Sequence, residues 1–302
     1  MQVDDRGMSR IRFTKMTGSG NDFIIIDNRA LKLSKERGRE LARLACRRKV
    51  SVGADGMILI ENDSEADFAW QFFNADGSEA EMCGNGSRCA ARFAFLKGIV
   101  NRERMSFRTL AGLIEAQVMG ERAKVRMPPP HSMEIDIAVE LSDCLLHLSF
   151  INTGVPHAVF FVDSPADLEQ LDVFDLGRRI RSHQRFQPAG TNADFVFVRG
   201  LHNISVRTFE RGVEAETLAC GTGCIASTLI AAAKNLVASP VDVLTIGGET
   251  LVIHFEIISQ GGKISFSDVH LEGDAKVVYE AELWDETLIE RTERRLRCFV
   301  AQ

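Results

Sequence analysis

The sequence predicts an α+β protein built as two copies of one unit, each a curved sheet with a buried helix inside it. Three observations carry this. Short runs rich in Ile, Val and Phe, bounded by Gly, Asp or Asn, dominate the chain and read as strands. Two stretches, Cys89–Leu96 and Cys224–Ala233, are apolar on nearly every helical face, and a helix of that kind is buried. The same blocks also occur twice in the same order. FNADGSEAEMCGNG (Phe73–Gly86) matches FERGVEAETLACGTG (Phe209–Gly223), which is one residue longer. Ahead of them, Gly18–Asp27 matches Gly154–Asp163, and Gly53–Ile60 matches Thr191–Val198.

In the first copy, Phe23–Asp27 is expected to be a strand. Ser34–Arg48 follows as a helix, because Ser34 is a good cap and Leu41, Leu44 and Ala45 share one face. Gly56–Ile60 and Phe68–Asn74 are the next strands, then comes the apolar helix after Cys83, then a strand at Ala123–Met127. Pro128–Pro130 cannot continue a sheet interior and is the expected hinge. In the second copy, strands are expected at His157–Asp163, Phe195–Arg199, Ile204–Phe209, Val243–Ile246 and Leu251–Phe255. Asp167–Arg185, carrying Leu168, Leu171, Phe174, Leu176 and Ile180, is expected to be helical and broken near Gly177. The expected lobes are residues 8–130, completed by strands from about 263–284, and residues 131–262; residues 285–302 are an expected C-terminal extension.

Composition excludes several function classes. The formal net charge is −6 and basic residues are interspersed with acidic ones, which argues against a nucleic-acid surface. The short runs at Arg47–Lys49 and Arg291–Arg297 read as solvated helix faces. No apolar run approaches the roughly 20 residues of a membrane span, and the polar, acidic N-terminus is no signal peptide. The seven cysteines lack a framework spacing and read as reduced cytosolic thiols. Cys220 and Cys224 are the only closely spaced pair of the zinc-ligand type and no second pair follows, so no metal is expected.

The chemistry lies in the repeated Cys-Gly-x-Gly. Each copy sets a cysteine, Cys83 or Cys220, on a glycine turn that opens an apolar helix. A helix start presents N–H groups without intrahelical partners and a positive dipole end, which binds anions and lowers a thiol's pKa. Two such thiols on opposite faces of one α-carbon could act as base and acid, the equipment of a racemase or epimerase. The N–H groups of Gly84, Asn85, Gly221 and Thr222 would stabilise the charge that develops on the carboxylate. No nucleotide-type glycine loop is present, and no cofactor is expected. His157 and Glu210 sit beside glycine turns as candidate tuners, and Asn21, Asn74 and Asn192 are turn amides suited to a polar substrate. Cys89 and Cys224 read as core, and Cys46, Cys144 and Cys298 as inert.

With these residues in view, the chain resembles the diaminopimelate epimerase family. The resemblance rests on FTKMTGSGNDFIIIDN, GADG, FNADGSEAEMCGNGSRCAARF, TGVPH, GTNADFVFV and ERGVEAETLACGTG, which come in the family's order. It implies two pseudo-symmetric α+β lobes, each a curved, mostly antiparallel sheet around a central helix, and a homodimer. It implies cofactor-free interconversion of LL- and meso-2,6-diaminopimelate in the cytoplasm, for lysine and peptidoglycan synthesis. Cys83 and Cys220 match the acid–base pair, His157 the assisting histidine, and Glu210 and Arg211 the residues at the distal end of the substrate. Asn21, Asn74 and Asn192 match substrate-contacting asparagines, and Gly84, Asn85, Gly221 and Thr222 the carboxylate cradle. Three departures stand out: Val155 replaces an asparagine, Gly56 stands where some members carry glutamine, and ERGVEAET is one residue longer than the common form. The related proline racemases and hydroxyproline epimerases carry histidine where this chain has Asn85. A non-enzymatic thiol protein, such as a redox sensor, is the alternative of another class.

Overall fold

Residues 2–3 and 9–284 are described in the computed structural model; the expected extension, with Cys298 and the Arg291–Arg297 run, lies outside the described residues. The strands, in order, are β1 (Gln2–Val3), β2 (Ser9–Gly18), β3 (Asn21–Asp27), β4 (Gly56–Glu61), β5 (Phe68–Asn74), β6 (Arg104–Thr109), β7 (Gly112–Met119), β8 (Arg122–Arg126), β9 (His131–Glu140) and β10 (Leu145–Asn152). They continue as β11 (Pro156–Phe161), β12 (Asn192–Gly200), β13 (Asn203–Glu210), β14 (Ala215–Thr217), β15 (Val241–Thr245), β16 (Thr250–Gln260), β17 (Lys263–Asp274) and β18 (Lys276–Trp284). The helices are α1 (Lys35–Ala45), α2 (Gly84–Leu96), α3 (Pro165–Gln170), α4 (Val173–Ser182) and α5 (Gly221–Ala233).

The chain forms two compact units, one from residues 1–123 together with the chain from 274, the other from residues 124–273. Their strand pairings repeat. In the first, β2 runs antiparallel to β3, β3 parallel to β4 across α1, β4 antiparallel to β5, β5 parallel to β6 across α2, and β6 antiparallel to β7. In the second, β10 runs antiparallel to β11, β11 parallel to β12 across α3 and α4, β12 antiparallel to β13, β13 parallel to β15 across α5, and β15 antiparallel to β16. Among these pairs only those bridged by helices are parallel, as a crossover requires. One outer strand closes each series: β18 pairs with β2 in the first unit, and β9 with β10 in the second.

The apolar runs have a simple origin. β3 and β4 are covered on both faces, so both side-chain sets are apolar. Ile24, Ile26, Met57, Leu59 and Phe73 pack on α1 with Leu41 and Leu44. Phe23 and Ile58 project the other way, toward Gly86 of α2. The second unit repeats this. Ala158, Phe160, Ala193, Phe195 and Phe209 pack with Leu168, Val173 and Ile180 of α3 and α4, and α5 lies on the opposite side. α5 touches β10, β11, β12, β13, β15 and β16, which leaves every residue from Gly223 to Ala232 buried.

Several expectations change. The helical stretch after Asp167 breaks at Leu171–Asp172, where Asp172 caps α4 by accepting from the Asp175 N–H at 3.0 Å. Gly177 lies inside α4 because a Cβ there would come within 2.3 Å of Phe209 Cβ. The helix capped by Ser34 ends at Ala45 rather than Arg48. Residues 263–273 stay with the second unit, since β17 is the hairpin partner of β16, and only the chain from 274 returns to the first. The three prolines connect β8 to β9, a few residues past the division at 123/124.

Candidate active site: two helix starts

Each unit brings the start of its inner helix to the ends of its parallel strand pairs. Cys83 is the N-cap of α2, with extended backbone (φ −142°, ψ 120°), and its Sγ accepts from the Gly86 N–H at 3.4 Å. Asn85, in the first turn, is buried. Its Nδ2 donates to Asn21 Oδ1 at 2.7 Å, and its Oδ1 accepts from Arg88 at 3.0 Å. Arg88 is fully buried and also donates to Ser19 Oγ at 2.7 Å and to the Asp274 carbonyl at 3.4 Å. Asn21 donates in turn to Asp55 at 3.1 Å. Asp55 and Asp22 share Arg48, at 2.8 and 2.7 Å, and Lys15 reaches Asp22 at 2.7 Å. Burial opposes ionisation of Asp22, but the Arg48 and Lys15 contacts outweigh it and hold the carboxyl below its usual range. Asn74 stands exposed at the end of β5 and donates to Ser78 Oγ at 3.0 Å.

In the second unit Cys220 is the N-cap of α5 (φ −114°, ψ 107°), with its Sγ 3.4 Å from Thr222 Oγ1. The lowering expected of a helix start does not prevail at this thiol. Burial pushes it well above its ordinary range and the charges of Glu210 and Asp194 add to that, while the Thr222 hydroxyl and Gly223 N–H oppose it. Glu210, at the end of β13, is raised by burial, with the Thr217 hydroxyl opposing. Asn192 accepts from the Arg211 N–H at 2.8 Å and donates to the Pro156 carbonyl at 3.0 Å, so its amide braces the turn that carries Arg211. Arg211 Nη1 donates to the Ala189 carbonyl at 2.9 Å. Within ERGVEAET, Glu214 has a left-handed φ of 59° and its carboxylate accepts from the Gly212 N–H at 3.0 Å.

His157 is fully buried, and its Nδ1 lies 2.7 Å from Asp194 Oδ2. Asp194, also fully buried, accepts from Thr208 Oγ1 at 2.7 Å. Sequence reasoning missed Asp194, Thr208 and Arg88. The signal was a lone acid inside an apolar strand and a cation inside an otherwise largely apolar helix, because a buried charge needs partners. Among the described residues, no group of His, Cys, Asp and Glu side chains is placed to hold a metal, and no helix is long and apolar enough to cross a membrane.

The family model for diaminopimelate epimerase matches residues 13–132 and 149–267. Diaminopimelate epimerase of Aquifex aeolicus is 47% identical over 289 residues, covering 92% of this chain and 99% of its own length. Its counterpart from Methanocella arvoryzae is 38% identical, covering 91% and 98%. The same fold occurs in a phenazine biosynthesis protein from Bacillus anthracis (TM-score 0.71, 16% identity, 91% of this chain and 99% of that one). It occurs also in a hydroxyproline epimerase from Agrobacterium vitis (TM-score 0.64, 16% identity, 94% of each chain). Sequence and fold agree, and the chain belongs to the diaminopimelate epimerase family.

Proposed function

We propose that this chain interconverts LL- and meso-2,6-diaminopimelate in lysine biosynthesis, by moving the Cα proton between two thiols. The observation that carries the reading is the cysteine N-cap of an inner helix, present once in each unit of a chain from this family. In one direction a thiolate takes the Cα proton while the other thiol delivers its own to the opposite face. The carbanion is inverted, the two sulfurs exchange protonation states, and solvent resets them.

The N–H groups of Gly84, Asn85, Gly221 and Thr222 receive the α-carboxylate, whose charge grows as the proton leaves. His157 and Glu210 assist at the second cysteine. Arg211 binds the distal carboxylate and Glu210 the distal ammonium, with Asn21, Asn74 and Asn192 as polar contacts. The partner is this small substrate rather than a nucleic acid or a membrane, and the enzyme acts as a cytoplasmic homodimer.

Chiral analysis of LL-diaminopimelate incubated with the purified chain tests the reading. Conversion to the meso form, with solvent deuterium at the inverted carbon in D₂O, is expected. Absence of conversion would refute it, and racemisation of proline instead would move the chain toward its fold neighbours.

A further inference from the structure

The two half-sites are built on the same strand register but filled with opposite chemistry. Phe23 pairs with Gly56 where β3 meets β4, and His157 pairs with Asn192 where β11 meets β12. Two residues on, Ile25 pairs with Ile58, and Val159 with Asp194. By ladder register Phe23 and Ile58 of the first half thus correspond to His157 and Asp194 of the second, two residues away from the ungapped sequence matches, which set His157 against Asn21 and Ile58 against Val196. The glycines after the cysteines record the same difference. A Cβ on Gly86 would meet Ile58 Cδ1 at 3.4 Å and Phe23 at 3.6 Å, whereas on Gly223 it would meet Asp194 Oδ1 at 2.4 Å. One helix start rests on two apolar side chains and the other on a fully buried carboxylate and the Thr208 hydroxyl, with His157 on the far oxygen of that carboxylate.

A scaffold that packs with Phe and Ile in one copy does not need His and Asp in the other for packing. Burying both costs desolvation that only matched hydrogen bonds offset. Asp194 is matched, by Thr208 and by His157 Nδ1. His157 is not, for its Nε2 is buried without a hydrogen-bond partner. A carboxylate can only accept, so Nδ1 carries a proton, and in the neutral form of the ring Nε2 is then a bare acceptor.

We propose that Asp194 is a positioning residue for the reaction, locking His157 in the Nδ1–H form so that Nε2 waits as the acceptor for a proton donor that arrives with the substrate. This rests on the epimerase reading and extends it by one residue. The donor belongs to the class of α-ammonium groups, since an apolar ligand would leave Nε2 unsatisfied.

Asp194→Asn tests the tautomer directly. Thr208 keeps its acceptor on the amide oxygen, and the amide N–H₂ then faces Nδ1 and donates to it, which drives the ring proton to Nε2. The expected result is a switch from Nδ1–H to Nε2–H in the ¹⁵N spectrum of His157. The thermal midpoint should stay nearly constant, and kcat for diaminopimelate should fall at least about tenfold with KM changed less than about threefold. The double variant His157→Phe, Asp194→Ile imports the pair of the first half. It is expected to fold with wild-type stability or better and to stay at least about tenfold slower than wild type. Unchanged kcat in Asp194→Asn, an unswitched tautomer, or full activity in the folded double variant would overturn the proposal. If wild type itself fails to convert diaminopimelate, the functional reading falls, while the wild-type spectrum still decides whether Asp194 sets the tautomer.

Discussion

At the scale of the residue, the two cysteines are alike in backbone and unlike in surroundings, and both sulfurs are assigned to the proton transfer. Cys83→Ala and Cys220→Ala are each expected to abolish epimerisation while the fold persists; a single variant keeping more than a few percent of activity would contradict the two-thiol scheme. Cys89 and Cys224, fully buried inside α2 and α5, serve packing. Their alanine variants should turn over normally and lose only about 1 kcal/mol of stability. Arg211 yields a further prediction. Its guanidinium is half-buried and tethered to the Ala189 carbonyl, and a planar fork recognises a carboxylate in a way a lysine cannot. Arg211→Lys should lower kcat/KM for diaminopimelate at least about tenfold, equivalent to about 1.4 kcal/mol of transition-state binding. Steady-state kinetics check this, and an unaltered kcat/KM would move the distal end elsewhere. The cysteines and glycines were legible because the repeat displays them twice. Asp194 was not, because it lies within an apolar run and its significance depends on a partner on another strand.

Elements carry the contrast between the two helix starts. Gly223 is required by close approach, since Asp194 Oδ1 sits where its Cβ would go and that carboxylate is held by His157 and Thr208. Gly86 has room at ordinary contact distance. Gly223→Ala is therefore expected to cost about 1–3 kcal/mol by overpacking, and Gly86→Ala less than about 1, because alanine favours a helix over glycine. Urea melts of the two variants make the comparison, and equal losses would show that the close approach is not what fixes Gly223. The sequence made the doubly covered strands plain, β3, β4 and β12 above all, because burial on both faces leaves continuous apolar runs. It hid β9, a strand with largely exposed faces, so His131–Glu140 mixes charges with Ile and Val. It hid β6 for a related reason: buried Met105, Phe107 and Thr109 alternate with Arg104, Ser106 and Arg108, a period-2 pattern without an apolar run.

The whole molecule is two units, one continuous and one closed by the far end of the chain. β18 pairs with β2 from Lys276 opposite Thr17 to Trp284 opposite Arg10, and Leu283 joins the core that holds Ile11, Phe13 and Leu41. The carbonyls of Asp274 and Ala275 accept from Arg88 and Arg92 of α2. A chain ending at Gly273 should thus lose hydrogen-exchange protection in β2, β3 and α2 while β11, β12 and α5 keep theirs; equal loss in both sets would mean the units do not stand independently. Acid should also weaken the unit that carries Asp22. Its folded pKa lies below the ordinary 3.8, so its stabilising contribution is present above that value and is lost as pH falls through the lowered one. Stability measured by urea should decline below about pH 4. Asp22→Asn should flatten that decline, and an unflattened curve would assign it to other carboxylates.

The late return of β18 also sets an order of assembly during synthesis. Residues 124–273 leave the ribosome as a complete unit, while the earlier-made residues 9–123 still lack a strand. Until Lys276–Trp284 emerges, β2 offers an unpaired edge, the kind of surface on which nascent chains associate. Arg10 and Arg12 lie along it, charges of the type that keep such edges apart. The thiol encoded first, Cys83, therefore sits in the half that is finished last. A nascent chain acquires its second helix start before its first is secure, and it gains competence for turnover only once Lys276–Trp284 has emerged.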